Sequence, residues 1–373
     1  MTTPVHYHHG KFPPPNIAWE RLISLIGPAN AALARYDGVL SAIPNATVLL
    51  TPITTQEAVL SSKIEGTQAT MGDVFEFEAQ GDTTEISPDR KADINEILNY
   101  RKAMKHASNL LKDLPLCQRV VKEAHQVLLE GVRGHGKSPG EYRRIPNWIG
   151  PQGCSLEEAR YVPISADQLP AAMSEWEKYI HADVPDRLVQ LALLHAEFEA
   201  LHPFLDGNGR LGRMMVPLFM HNVGLIQQPM FYISAFFEGH RDEYYERLLA
   251  ISREGAWTDW CAFFLRAVME QARDNEHKTR LILDLYERMK TEIPALTRSQ
   301  YAIHALDFLF DRPIFAATEF LMFEKIPKPT GKRVLQVLRE HGILRTLRES
   351  SGRRPATLCF RELLNIAEGD EIF

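Results

Sequence analysis

The sequence predicts a mainly α-helical protein: a helical bundle interrupted by one β-hairpin flap, followed by a small C-terminal module that closes on a second hairpin. Three observations predict this. Apolar residues follow the helical period from Ile17 to about Leu129 and again over 186–290. Glycine and proline crowd into residues 134–163, where that period breaks. Beyond Arg298 the order becomes helix, helix, helix and two short β-runs.

The elements follow in order. Residues 1–18 are polar and Pro-rich and read as an extended arm, with His6, His8 and His9 in a flexible tail rather than a metal site. TTQEAVLSSKIEG (54–66) opens with Thr54 three residues before Glu57, the spacing of a capping box, and stops at Gly66. Residues 89–112 and 115–130 repeat the apolar period. In the break, Gly134, Gly136, Gly140, Gly150 and Gly153 alternate with Pro139, Pro146, Pro151 and Pro163. RRIPNWI and ARYVP flank a Gly-Pro-Gln-Gly turn there, which predicts an exposed flap over 140–163.

Helix resumes at 186–201, with Leu188, Leu191, His195 and Phe198 on one stripe and His202 next in line. Residues 210–223 and 241–290 are helical again, enough for a bundle. The tail has helices at 299–310, 315–323 and 331–342, the last after Pro327 and Pro329. The strands ILRTLRE and ATLCFRELL follow, joined by a Ser-Ser-Gly-Arg-Arg-Pro turn. That order is the order of a winged helix. The expected domains are 1–112, 113–290 and 298–373.

Composition narrows the function. The chain has 373 residues, 45% hydrophobic and 24% charged, with a net charge of −6, which argues against a protein built mainly to coat nucleic acid or an anionic membrane. Cys117, Cys154, Cys261 and Cys359 are never closer than 37 residues, so zinc and CxxC redox spacings are absent and a reducing, cytoplasmic setting is expected. MTTPVHYHHGKFPPPN lacks a charged start followed by an apolar run, so no signal peptide is expected. No apolar run reaches the ~18 residues of a membrane span.

The stretch from His202 to Arg213, HPFLDGNGRLGR, carries the chemistry. Pro203 disfavours helix in the residue before it, so His202 lies at a loop edge. An imidazole there can take a proton near neutral pH. Gly207-Asn208-Gly209 can turn backbone N–H groups toward one point, and the helix that follows adds its positive end. Arg210 and Arg213, three apart, share a face of that helix. Cations in a first turn oppose the helix dipole by about 0.3–1 kcal/mol each, and a polyanion between them reverses the sign. Asp206 would repel that polyanion unless a Mg²⁺ joins carboxylate and phosphate oxygens. The residues alone thus read as a Mg²⁺–polyphosphate site beside a general base.

Each feature alone is commonplace: a histidine before a turn, a Gly-Asn-Gly turn, a solvated arginine face. Their coincidence within twelve residues is not. No GK[ST] follows the glycines, so this is not a Walker loop. His195, Glu199 and His202 could ligate a metal from one helix face, but their spacing is not HExxH, and His195 falls on the apolar stripe as a core histidine would.

The stretch resembles the signature of the Fic (Fido) family, HPFx[D/E]GNGRxxR, at every defined position. The likeness runs from the 54–66 helix to about residue 270. It implies an all-α Fic-type fold and transfer of AMP from ATP to a Ser, Thr or Tyr hydroxyl of a protein, self-modification included. By resemblance His202 is the base, Phe204 the loop anchor and Asp206 the Mg²⁺ ligand. Gly207, Asn208, Gly209, Arg210, Leu211, Gly212 and Arg213 hold ATP, with Arg210 on the γ-phosphate and Arg213 nearer the sugar. Ser61-Ser62-Lys63-Ile64-Glu65-Gly66 is similar to the family's inhibitory motif [S/T]xxxE[G/N], which implies that Glu65 blocks the site by pairing with Arg210. The flap, with Tyr161 and Val162, looks like the hairpin that docks the target chain. Tyr244-Tyr245 resembles the segment lining the adenosine end.

The tail supplies an alternative. Residues 325–354 hold nine basic side chains against Glu340 and Glu349, a charge of +7. Lys332, Arg333, Arg353 and Arg354 could meet DNA, which would make the chain a DNA-binding transcriptional regulator with a nucleotide-sensing Fic part. The third helix offers only Gln336 as a base reader, which weighs against that. The expected partners are ATP and a target protein, with DNA through 325–354 and a second copy of the chain left open. The target and the preferred nucleotide are not readable from the residues.

Overall fold

The computed structural model describes residues 3–43, 45–80, 86–133, 136–151, 153–351 and 354–371. Gly134 before the flap, Gln152 in its turn, and Gly352 and Arg353 in the C-terminal turn lie outside the described residues. Among the described residues the protein is mostly helical, with two small sheets. It divides into two compact units that interleave along the chain. One comprises Met1–Asp37, Leu60–Gly66 and Leu98–Arg273, the other Gly38–Val59, Thr67–Ile97 and Asp274–Phe373.

The first unit is built around the helix Arg187–Leu201. Asp186 caps it, accepting the Val189 N–H at 2.9 Å. Every residue from Leu188 to Phe198 is buried, so this helix is enclosed rather than striped. It packs against Leu169–Ile180 and Asn208–Asn222. The helix expected over 241–290 is two: Arg241–Glu254 ends at Gly255, whose φ of 72° is a left-handed cap, and Trp257–Thr297 follows. The helix expected at 54–66 starts at Thr51 and runs to Ile64. Thr54 lies inside it, with its hydroxyl on the Leu50 carbonyl at 3.0 Å, so it is not a cap.

The N-terminal arm is extended as expected, but it is held in place rather than loose. Val5–His6 pairs in parallel with Tyr161–Val162. The Tyr7 hydroxyl donates to Glu197 Oε1 at 2.6 Å. His8 Nε2 lies 2.9 Å from Glu197 Oε2 and its Nδ1 2.7 Å from Ser252 Oγ. Glu197 is a buried acid on the central helix, and the arm supplies its partners. Leaving a buried polar group without one of its partners costs about 1–3 kcal/mol. His8→Ala is therefore expected to lower the unfolding free energy by that amount, read as a lower urea midpoint, and an unchanged midpoint would place the arm outside the folding unit.

The second unit holds the sheet of Ile314–Ala316, Thr357–Cys359 and Arg345–Arg348, with Thr357–Cys359 in the middle and both pairings antiparallel. Around it lie the helices Ala302–Asp311, Ala317–Leu321, Lys328–Glu340 and Arg361–Glu368. Two elements depart from the sequence reading. Ile314–Ala316 is a strand, because Phe315 is buried between the rings of Phe308 and Phe320, which leaves only Ala317–Leu321 helical in the expected 315–323 helix. The last strand stops at Cys359, since Leu363, Leu364 and Ala367 fall at helical spacing and turn inward on a helix.

Candidate active site

The Arg187–Leu201 helix ends as Pro203 dictates. His202 adopts φ 47° and ψ 61°, a left-handed conformation that costs a side-chain-bearing residue about 1–2 kcal/mol. The buried Arg143 secures that turn. Its Nε donates to the His202 carbonyl at 2.9 Å, and its Nη2 donates to the carbonyls of Leu201, at 3.3 Å, and Ile164. The Arg143 N–H donates to the Pro203 carbonyl at 2.9 Å. Sequence reasoning placed Arg143 in the flap and missed this clamp.

The loop after His202 is closed by its own side chains. Phe204 is fully buried and stacks on His125, with ring centroids 3.7 Å apart. The Asn208 amide accepts the Phe204 N–H at 2.9 Å and donates to its carbonyl at 2.8 Å, so Asn208 shapes the loop and only its backbone can meet a ligand. His125 Nδ1 accepts the Gly140 N–H at 2.9 Å, and its Nε2 lies 3.0 Å from the Asp206 carbonyl. His125 thus staples the flap to the active loop. No motif marks this role, because a histidine on an apolar helix face looks like any core residue.

The helix Asn208–Asn222 begins at Gly207, whose φ is 76°, and among the described residues no side chain caps it. The start of a helix attracts an anion through its first N–H groups. Glu65 lies over them: a Cβ on Gly209 would fall 2.1 Å from Glu65 Oε1. Arg213 Nη2 contacts that oxygen at 2.7 Å, and also the Ser61 carbonyl at 2.7 Å, while its Nε donates to Ser61 Oγ at 2.9 Å. The expected Glu65–Arg210 pair is therefore corrected to Glu65–Arg213. Arg210 turns instead to Asp206, 3.5 Å away and one helical turn back.

Asp206 has further partners. Its Oδ1 accepts the Gly207 N–H at 2.7 Å, and its Oδ2 lies 2.9 Å from Lys137 Nζ. Burial raises its pKa, but Lys137 and then Arg210 outweigh burial and hold it below the ordinary aspartate value. Among the described residues no cluster of three or more His, Cys, Asp and Glu is assembled for a metal. A charged, partly exposed carboxylate fits a Mg²⁺ that takes its other ligands from phosphate and water.

Tyr244, expected at the adenosine end, is corrected to a core residue. It is buried, and its hydroxyl meets His195 Nε2 at 2.9 Å. His195 Nδ1 faces the Gly212 carbonyl at 3.2 Å, so the ring is a core histidine. Tyr245 is the exposed member of the pair, and Arg241 beside it donates to the Ile64 carbonyl at 2.6 Å. In the flap, Tyr161 and Val162 are flanked by the arm on one edge, and Tyr161 by Ile149 on the other. That strand has no free edge at Tyr161, and the exposed large apolar side chains of the flap are Ile145, Trp148, Ile149 and Leu156.

Burial pushes three histidines down: His202 to about 4 (against Glu65 and with Arg143), His125 to about 4, and His195 to about 3. Burial pushes Glu199 up to about 8, against Arg213 and with Glu65. Each depressed histidine binds a proton in the unfolded chain before it does so in the fold. Stability from these three is full above ~6.5 and is lost as the pH falls toward 4. Glu199 acts in the opposite sense, losing stability as the pH rises toward 8. Between pH 5 and 6.5 three groups oppose one, so the unfolding free energy should fall from pH 7 to pH 5, by roughly 1–2 kcal/mol per histidine, and the urea midpoint with it. An equal midpoint at the two values would contradict this.

Residues 23–109 match the Fic/DOC family N-terminal region and residues 115–220 the Fic/DOC family, together more than half of the chain. Protein adenylyltransferase Fic of Drosophila grimshawi is 27% identical over 206 residues, covering 54% of this chain and 36% of that protein. Its Drosophila virilis counterpart is 27% identical over 222 residues, covering 57% and 39%. The chain thus spans less than half the length of these relatives. In structure, a Fic family protein from Desulfovibrio desulfuricans G20 aligns with a TM-score of 0.57 at 20% identity, covering 93% of this chain and 98% of that one. A Fic domain containing signaling protein from Bacteroides thetaiotaomicron aligns at 0.56 and 18%, covering 68% and 96%.

Proposed function

The chain belongs to the Fic/DOC family, and from that premise we propose that it is a protein adenylyltransferase, moving AMP from ATP to a Ser, Thr or Tyr hydroxyl of a target protein. One observation carries the reading: a carboxylate, Glu65, stands over the uncapped start of the Asn208–Asn222 helix and pairs with Arg213, where a phosphate would be held. The relatives named protein adenylyltransferase support the same choice.

In this reading the target oxygen attacks the α-phosphorus and the bond to the β-phosphate oxygen breaks, releasing diphosphate. His202 takes the hydroxyl proton. Burial keeps its ring neutral at pH 7, the form that can accept a proton. Arg213 and the helix N–H groups hold phosphate charge. Asp206 would hold Mg²⁺, which supplies further positive charge to the phosphates. Glu65 and a phosphate compete for Arg213, so the resting chain is autoinhibited.

The test uses ATP labelled at the α- or γ-phosphate, with Mg²⁺, the wild-type chain, Glu65→Gly and a cell lysate. Label from the α-position on protein, and none from the γ-position, is expected. No α-label on any protein with either chain overturns the proposal, and γ-label on protein would make the chain a kinase.

A DNA contact through the second unit is the weaker reading. Lys328, Lys332 and Arg333 are exposed on the helix Lys328–Glu340, which favours it. Arg348 is drawn to Glu76 and Gln80, and Arg339 to Glu349, which removes two of the cations counted in the sequence.

A further inference from the structure

Lys137 belongs to no part of the signature, yet it makes the shortest ion pair of the active loop's only acid. Its Nζ lies 2.9 Å from Asp206 Oδ2, while the other Asp206 oxygen takes the Gly207 N–H. The contact is built rather than incidental. Ser138, the next residue, is held at φ 55°, and the Glu141 N–H closes on its carbonyl at 3.1 Å. Gly140 is tied to His125, and His125 to the Asp206 backbone. The segment that carries Lys137 and the residue it meets are therefore anchored to one imidazole. The lysine side chain is 52% exposed, so its ammonium can leave for water or a ligand without being stranded.

We propose that Lys137 is the placeholder cation of the metal site: it holds Asp206 in the ligand-free protein, and a divalent ion must displace it to bind. The idea rests on Asp206 as the metal ligand. Two cations at contact distance on Oδ2 repel one another, by about 1 kcal/mol where water screens them. Metal entry and release of the Lys137 ammonium are then one exchange. The freed ammonium stays beside the phosphate site, where a nucleotide's outer phosphates would receive it. Binding the metal without a nucleotide leaves that ammonium with no anion, so the exchange favours arrival of metal and nucleotide together.

Mn²⁺ titrations of the nucleotide-free protein, read by water-proton relaxation, test this apart from activity. Lys137→Met should bind Mn²⁺ about two- to five-fold more tightly than wild type, the range that corresponds to a half-exposed ion pair. Lys137→Arg, which keeps the charge, should stay close to wild type. Equal affinity in Lys137→Met and wild type, or no binding in either, overturns the exchange. Asp206→Asn is the control for the premise: if it binds Mn²⁺ as wild type does, the assignment of Asp206 as ligand fails, whatever Lys137 does.

Discussion

Replacing His202 with alanine is expected to lower AMP transfer by about 10²–10⁴-fold while ATP binding stays near wild type. The separation follows from where the groups sit. In the proposed reading the groups that would hold phosphate are the start of the helix Asn208–Asn222 and Arg213, whereas His202 lies on the far side of Pro203, at the end of the preceding helix. Its backbone is held by Arg143 through the carbonyl and not through the ring, so losing the ring leaves the turn anchored. Single-turnover transfer with α-labelled ATP, beside calorimetric ATP binding, measures both quantities. Near-normal transfer by His202→Ala would remove it as the base.

Replacing Glu65 with glycine is expected to raise labelling by roughly 10–100-fold, the opposite of an ordinary active-site lesion. Arg213 is almost fully buried, and three of its contacts come from Ser61 and Glu65. While Glu65 holds it, a phosphate must bind elsewhere, and misplacement by ~1 Å can cost of order 10²-fold. A second readout separates this from a nonspecific change. Without Glu65 the buried guanidinium lacks its counter-charge, which destabilises the free protein. A polyphosphate restores the counter-charge, so ATP should raise the melting temperature of Glu65→Gly more than that of wild type. Equal labelling and equal thermal shifts would leave Glu65 as a structural cap at the helix end.

The residues that make the site were legible because their chemistry is local. His202 to Arg213 lie within twelve positions, and a proline, a glycine pair and the helix start are readable from neighbours in the chain. The Glu65 partner was not. Arg210 and Arg213 share a helix face in the sequence, and either could meet an acid from 148 or so residues away. Asp206, one turn before Arg210, draws that arginine back, and Ser61 adds two acceptors beside Glu65 that only Arg213 reaches. Tyr244 went astray for a related reason: a tyrosine pair on a helix does not say which ring faces inward until His195 is in place to receive one hydroxyl.

By itself the sequence determined the helical class, the family and the atoms available for proton and phosphate chemistry, because periodicity, proline and glycine act within a few residues. Only the tertiary structure decided what those atoms touch. It took the arm read as a loose tail and seated His8 on a buried Glu197, and it placed Lys137 on Asp206 across 69 residues of chain. It also used His125 and Arg143 as the staple and the clamp of the loop. Buried charges and strained turns need partners, and burial is a property of the packed chain, so those partners come from wherever packing brings a donor within about 3 Å.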